Sequence, residues 1–166
     1  MSAGALSGDD TSRPLFVGSQ LQKIDEKRRV AIPKPHRDAV VPARDGSTFF
    51  LLHAVVDRCL WLMPERSFLR FVRTTVGPLR EKTGSGIGSE MVRAFESRLL
   101  GEARAVEPDK QGRIVLPQEL CELSGITDEA EFRGTGYDRV EIWNPSTRRE
   151  RDSKIDYERM ARELFG

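Results

Sequence analysis

The chain has 166 residues, of which 38% are hydrophobic and 32% are charged, and its formal net charge is +1. This length suffices for one ordinary hydrophobic core, while the balanced charge excludes an argument for nucleic-acid binding from overall charge alone. No stretch is apolar enough to cross a bilayer, so we predict no membrane partner. Cys59 and Cys121 lie in separate apolar segments, which favours reduced, buried thiols in a cytoplasmic protein.

The first segments predict a tail followed by a small β-strand and helix unit. Residues 1–14 are small and polar, which predicts a disordered N-terminal tail rather than a signal peptide. We predict strands at Leu15–Lys23 and Arg29–Ile32, the second ending at Pro33 because proline cannot donate to a strand ladder. Lys34–Val41 should form a short helix.

The middle of the chain predicts a buried hairpin and two longer helices. The apolar runs Thr48–Val56 and Cys59–Met63 are typical of paired strands. Helical periodicity predicts helices over Glu65–Val76 and Glu90–Leu100. The polar, glycine-rich segment Glu81–Gly88 between them should be a mobile connection.

The same order of elements then restarts. The predicted elements are strands at Glu102–Val106 and Arg113–Leu116, a helix at Gln118–Ser124, and strands at Glu129–Gly134 and Arg139–Trp143. Ser146–Phe165 is densely charged, which predicts a largely solvated C-terminal helix.

One short stretch occurs twice and marks a duplication. The sequence DEKRRVAIP at residues 25–33 recurs as DKQGRIVLP at residues 109–117, an offset of 109 − 25 = 84. A second echo relates residues 57–64 to residues 138–145 at an offset of 138 − 57 = 81. Half of such a unit leaves sheet edges unpaired, so we expect two halves to pair into one small closed barrel.

The first repeated turn is locally basic. It combines four cations with two carboxylates: Lys23, Lys27, Arg28 and Arg29, with Asp25 and Glu26. Residues 23 to 44 contain seven Lys or Arg and three Asp or Glu, a local excess of +4. Such groups suit phosphate contacts, and arginine can also pair with a guanine edge. In the alternative interpretation, the Asp–Arg pairs only fix the turns.

The sequence offers little for catalysis. His36 and His53 lie in different predicted elements with no nucleophile beside them, and there is no metal-type Cys/His spacing. We therefore predict no enzyme activity, no metal, no cofactor and no small-molecule ligand.

These residues resemble the MraZ family. The matching features are the two D-x-x-x-R stretches leading into apolar residues and proline, the Phe16-x-Gly18 start, Cys59-Leu60-Trp61-Leu62-x-Pro64, and Val140-Glu141-Ile142-Trp143. The resemblance implies an α+β protein of the AbrB/SpoVT-like superfamily. Its fold would be a swapped-hairpin β-barrel built from two tandem half-domains with flanking helices. MraZ proteins are bacterial transcriptional regulators of the division and cell-wall gene cluster that form rings and bind direct repeats in a promoter.

The resemblance also implies site residues and boundaries. The family motif falls on Asp25 with Arg29 and on Asp109 with Arg113, and Arg28 replaces the glycine usual before the first motif's arginine. A side chain there requires a different turn or adds a DNA contact. The predicted DNA-binding residues are Lys23, Asp25, Lys27, Arg28, Arg29, Asp109, Lys110 and Arg113. The predicted units are half-domains at residues 15–79 and 101–145, a linker and helix at 80–100, and a charged helix at 146–166.

The resulting hypothesis is a non-enzymatic, ring-forming regulator that binds double-stranded DNA and is associated with the nucleoid. The alternative is an oligomeric structural or protein-interaction module that does not bind DNA. Steep salt dependence of DNA affinity would distinguish the first from the second.

Overall fold

The computed structural model describes residues 13–54, 56–83 and 86–166. It has an α+β fold, which confirms the predicted class. The predicted tail, residues 1–14, lies almost wholly outside the described residues.

Eight strands are present in the described ranges. They are β1 (Ser19–Lys23), β2 (Arg29–Ala31), β3 (Phe49–His53), β4 (Leu60–Pro64), β5 (Arg104–Val106), β6 (Arg113–Val115), β7 (Glu129–Gly134) and β8 (Val140–Trp143).

Eight α-helices accompany these strands in the same ranges. They are α1 (Lys34–Asp38), α2 (Pro42–Asp45), α3 (Glu65–Phe71), α4 (Pro78–Thr83), α5 (Ile87–Glu102), α6 (Gln118–Ser124), α7 (Pro145–Ser153) and α8 (Tyr157–Phe165). A π-helical turn, Val72–Val76, joins α3 to α4.

The strands form one antiparallel sheet and one separate ribbon. The sheet has the order β1-β7-β8-β4-β3-β5, while β2 pairs with β6 alone. Each half of the chain therefore lends a strand to the other, since β1 pairs with β7 and β5 pairs with β3. Within the described residues the sheet is open, with β1 and β5 at its edges, so the predicted closure into a single barrel is not confirmed. The reason is that β2 and β6 pair with each other instead of joining the two edges.

The pairing registers obey the repeat offsets. Gln20 pairs with Phe132, and Leu51 pairs with Arg104. Adding 84 to position 20 gives 104, and adding 81 to position 51 gives 132, so one pair maps onto the other. The ribbon maps onto itself in the same way, because Arg29 pairs with Val115 and 29 + 84 = 113, the partner of position 31. A pseudo-two-fold axis therefore relates the two halves.

The main core lies between the ribbon and one face of the sheet. Val30 and Ile114, one from each ribbon strand, are both 1% exposed. A second apolar cluster packs α3 and α5 on the other part of the sheet, around Leu52 and Met63. Both cysteines are buried, as predicted, and they form no disulfide with a described residue.

Prolines account for several differences from the predicted helices. The helix predicted at Lys34–Val41 ends at Asp38, and Pro42, directly after the predicted end, begins α2. Pro78 likewise begins α4. Proline is favoured in the first turn because its missing N–H has no helical partner there. The predicted connection Glu81–Gly88 is thus helical at both ends, and its residues 84 and 85 lie outside the described part.

Two further predictions were wrong in extent. The first strand begins at Ser19 rather than Leu15, because Gly18 has φ +91° and interrupts the extended backbone. Phe16, before that break, forms an isolated bridge to Gly136. The C-terminal segment Ser146–Phe165 forms two helices, α7 and α8, rather than one.

Within the described ranges, no helix is long and apolar enough to cross a membrane. No group of three or more His, Cys, Asp or Glu side chains there is arranged to hold a metal ion.

Candidate nucleic-acid interface

The first repeated turn is held by one aspartate. Asp25 Oδ1 accepts hydrogen bonds from the backbone N–H groups of Lys27 (2.9 Å) and Arg29 (2.8 Å). Its other oxygen, Oδ2, accepts from Arg29 Nε at 2.7 Å. The backbone closes the same loop, since the N–H of Arg28 donates to the carbonyl of Asp25 at 2.9 Å. The carboxylate therefore fixes both the turn and the arginine side chain.

The second turn repeats this geometry. Asp109 Oδ1 accepts from the N–H groups of Gln111 and Arg113, each at 2.9 Å. Asp109 Oδ2 accepts from Arg113 Nε at 2.8 Å, and the N–H of Gly112 donates to the carbonyl of Asp109 at 2.9 Å. The two halves thus build one motif twice.

Both aspartates are held in the ionised form. The backbone N–H of Arg29 is the main cause that lowers the pKa of Asp25, with the Arg29 guanidinium and the N–H of Lys27 acting in the same direction. The N–H of Arg113 is likewise the main cause that lowers the pKa of Asp109. Each arginine uses Nε for this bond. Among the described residues no protein acceptor is hydrogen-bonded to the Nη atoms of Arg29 or Arg113, so these ends face outward.

The ribbon brings the two arginines onto one face. Val30 and Ile114 point into the core, so alternation along each strand places Arg29, Ala31, Arg113 and Val115 on the outer face. Arg29 lies opposite Val115, and Arg113 is its diagonal neighbour, a separation of about 7–8 Å between such positions. We call this surface the outer ribbon face.

The predicted lysines lie on the two turns and on the strand that leads into the first of them. Lys27 and Lys110 are exposed at the tips of the two turns, and the structure gives neither an ion pair with a described residue. Lys23 is exposed at the end of β1, opposite Glu129 of β7. All eight predicted site residues therefore lie on the two turns or on the strand that enters the first of them.

Arg28 does not change the turn, so the expectation of a different turn was wrong. It has φ +58° and is the only non-glycine residue with positive φ in the described ranges, whereas Gly112 at the equivalent position has φ +75°. The Nε atom of Arg28 donates to the carbonyl oxygen of Leu116 on the other half at 3.0 Å. This bond spans the ribbon and holds the arginine in the left-handed conformation, which side chains disfavour.

Arg37 also belongs to this region, although its sequence position did not indicate it. Its Nε donates to the carbonyl of Ile32 at 2.9 Å. Its guanidinium lies directly over Gly112, where a Cβ atom would come within 2.5 Å of Arg37 Cδ.

Arg44, by contrast, belongs to the fold. Its guanidinium binds Asp45, which is 2% exposed, and donates to the carbonyl of Ala39 at 3.0 Å. Lys34 is paired with Asp38 at 2.5 Å. The Lys34–Asp38 pair is already counted within residues 23 to 44, but Asp45 lies just outside them, so including it lowers the excess from +4 to 7 − 4 = +3.

Fold and site together define a class: an α+β protein of two fused, strand-exchanging repeats that carries two aspartate-fixed arginines on a shared ribbon. A comparison with protein-family models gives no match. Curated relatives do match. Transcriptional regulator MraZ of Thermomicrobium roseum is 39% identical over 132 residues, which cover 79% of this chain and 82% of the relative.

Two other relatives carry the same name. Transcriptional regulator MraZ of Roseiflexus castenholzii is 32% identical over 131 residues (79% of this chain and 82% of the relative). That of Alcanivorax borkumensis is 30% identical over 142 residues (86% and 91%). This chain belongs to the MraZ family, which confirms the resemblance found in its sequence.

Proposed function

We propose that this protein is a transcriptional regulator that binds direct repeats in promoter DNA as a ring-shaped homo-oligomer, acting on the division and cell-wall gene cluster. The observation that carries the proposal is the outer ribbon face, where two aspartate-fixed arginines occupy diagonal positions on neighbouring strands. The names of the relatives support regulation of transcription. The site of action is the cytoplasm, at the nucleoid.

A two-stranded ribbon has the right size for DNA. The major groove of B-DNA admits such a ribbon, and arginine there pairs with the O6 and N7 atoms of guanine or binds phosphate. Because each Nε is already bound to an aspartate, each guanidinium is oriented before DNA arrives. Its Nη atoms can then form charge-assisted bonds with little further loss of side-chain freedom.

The fold that suits this role is the swapped-hairpin β-barrel of the AbrB-like proteins. The exchange of β1 and β5 between the halves supports it. We propose the half-domains at residues 15–79 and 101–145, with residues 80–100 joining them. In this arrangement neither half presents the outer ribbon face alone, because each supplies one of its two strands.

A ring would make a weak contact effective. One ribbon neutralises few phosphates, so a single subunit should bind weakly. Subunits linked in a ring can engage successive repeats, and effective concentration then raises avidity by about 10²–10⁴. Repeat spacing in the promoter would be set by the spacing of subunits.

The decisive variant is Arg29→Ala. We expect it to weaken binding to a duplex from upstream of the protein's own gene severely, while the circular dichroism spectrum and oligomer size stay unchanged. Arg159→Ala is the matched control, because Arg159 is exposed on α8 and, among the described residues, its side chain pairs only with Glu163 on the same helix. Equal affinity of the Arg29→Ala variant and the parent would contradict the assignment of the ribbon as the DNA-binding element.

A second candidate is an oligomeric protein-interaction module that does not bind DNA. The exposed apolar face of α8 favours it, since Met160, Leu164 and Phe165 are 46%, 71% and 89% exposed. Titration with salt separates the candidates. Phosphate binding predicts a steep fall of log affinity with log salt, whereas an apolar protein interface does not.

A further inference from the structure

Two carbonyl groups occupy equivalent places in the two halves. They belong to Ile32 and Leu116, which are related by the repeat offset (32 + 84 = 116) and directly precede Pro33 and Pro117. Both lie where the ribbon ends, because the N–H of Ile32 donates to Gly112 and the N–H of Leu116 donates to Arg28.

Each of these carbonyls accepts a hydrogen bond from an arginine Nε. The carbonyl of Ile32 accepts from Arg37 at 2.9 Å, and that of Leu116 accepts from Arg28 at 3.0 Å. The two arginines come from different places in the repeat, one from α1 and the other from the first turn. The two equivalent carbonyls therefore each bind a guanidinium group, but the two arginines stand at different positions of the repeat.

The repeat counterparts of these two arginines show why the two guanidinium groups can come from different elements. The repeat counterpart of Arg28 is Gly112 (28 + 84), and the counterpart of Arg37 is Cys121 (37 + 84). At the second turn Gly112 has no side chain, and Arg37 lies over it. At the first turn Cys121 is buried and short, and Arg28 lies near enough to lower its pKa, although burial raises that pKa more. At the first turn, the arginine (Arg28) belongs to the turn and the small residue (Cys121) to the neighbouring helix. At the second turn, the small residue (Gly112) belongs to the turn and the arginine (Arg37) to the neighbouring helix.

Both flanking arginines remain available to an anion. Arg28 and Arg37 are exposed, and neither has a carboxylate partner among the described residues. Their Nε atoms are used by the carbonyls, so the Nη atoms face away from those bonds. With Arg29 and Arg113 they make four guanidinium groups at the ribbon and its two turns. Several arginines at one ribbon suit contacts with the phosphate charges of a duplex backbone.

We propose that Arg37 is a DNA-contacting residue of the second turn and the positional equivalent of Arg28 in the first. This inference rests on the proposed function and extends it to a residue outside the repeated D-x-x-x-R stretches. Arg28 and Arg37 contact phosphates on either side of the groove that the outer ribbon face enters.

The test compares Arg28→Gln, Arg37→Gln and Lys34→Gln for binding to the same upstream duplex across a range of salt concentrations. We expect the two arginine variants to lose affinity to a similar extent, each lowering the salt slope by about 1. Lys34→Gln is the matched control on α1, because Lys34 is already paired with Asp38. It should bind like the parent.

An exchange variant tests the positional equivalence directly. Arg28→Gly should lower affinity, and adding Cys121→Arg should restore it by returning a guanidinium to the carbonyl of Leu116. The inference is overturned if Arg37→Gln binds like the parent while Arg29→Ala does not, or if the folded exchange variant fails to recover. The proposed function would stand in both cases. If the parent shows no salt-dependent duplex binding, both are overturned.

Discussion

The aspartate of each turn links local folding to recognition at the scale of a single residue. Asp25 and Asp109 bind two backbone N–H groups and one guanidinium each, so one carboxylate sets the backbone and the arginine together. Stabilising the turns and presenting arginine to DNA are therefore compatible roles for these pairs, so the first does not exclude the second. The bonds through Nε serve the first, and the outward Nη atoms serve the second.

This arrangement predicts sensitivity to acid. The folded-state pKa of Asp109 is lowered, so its contribution to stability is present above its unfolded pKa, near 3.9, and is lost as pH falls through the lower folded pKa. The double variant Asp25→Asn/Asp109→Asn should lose less stability between neutral pH and strongly acidic pH than the parent does. Urea unfolding at both pH values measures this. An equal loss in parent and variant would show that other carboxylates control the acid response.

A glycine pair tests the backbone at residue scale. Gly112→Ala puts a Cβ on a residue with φ +75° and against Arg37, which should cost about 1–2 kcal/mol of unfolding free energy. Gly101→Ala, in an open part of α5 with nothing within 4 Å of the new Cβ, should instead gain up to about 1 kcal/mol. Thermal unfolding of both variants measures these changes. If both variants were stabilised, or both destabilised, the argument would be contradicted.

At the scale of elements, the two C-terminal helices differ in how they are held. Arg148 of α7 binds Glu131 of β7 and also Asp152 (2.8 Å), while Arg151 lies 4.5 Å from the centre of the Trp143 ring. Helix α8 instead forms ion pairs within itself, such as Arg159–Glu163. The structure therefore fixes α7 to the sheet and leaves the apolar face of α8 exposed.

We expect Arg148→Met to lower the unfolding free energy by about 1–3 kcal/mol, because Glu131 is 9% exposed and would lose its cationic partner. Arg159→Met, an equal change on α8, should stay within about 0.5 kcal/mol of the parent. Denaturant titration distinguishes them. Similar small effects in both would mean that α7 is not held by this contact.

The sequence predicted elements well where local chemistry decides them. Helix α6 and strand β7 have the expected bounds, and Gly125 caps α6 with φ +70°. It failed at Pro42, because a proline can either end one helix or begin the next, and only packing chooses between them. In the site, the repeated aspartates and arginines were identifiable. The contact of Arg37 with Gly112 was not, since it joins positions 75 residues apart (112 − 37) and depends on the register of the ribbon.

The two halves of the molecule share their strands, so we expect the chain to unfold as one cooperative unit rather than as two domains in series. Strand β1 has its sheet partner in the second half, β5 has its partner in the first, and the ribbon needs one strand from each. Separating the halves would expose Val30 and Ile114, both 1% exposed in the intact chain. Loss of either half should therefore unfold the other.

This dependence can be tested by cutting the chain between α4 and α5. The fragments 1–85 and 86–166 should each lack a folded monomeric state and should acquire a cooperative unfolding transition when mixed. Circular dichroism with analytical ultracentrifugation follows both folding and association. A folded monomer of fragment 1–85 would contradict the interdependence of the halves.

The pairing of β1 with β7 also affects synthesis of the chain. After Lys23 has been made, 134 − 23 = 111 further residues must follow before β7 is complete. At about 5–20 residues per second this takes roughly 5–20 s. During that interval β1 is a nascent strand without its partner. Its sequence, Ser-Gln-Leu-Gln-Lys, is mostly polar and ends in lysine, a composition that discourages pairing with other chains. The first strand of the sheet to be synthesised is therefore suited to remain unpaired until β7 has been made.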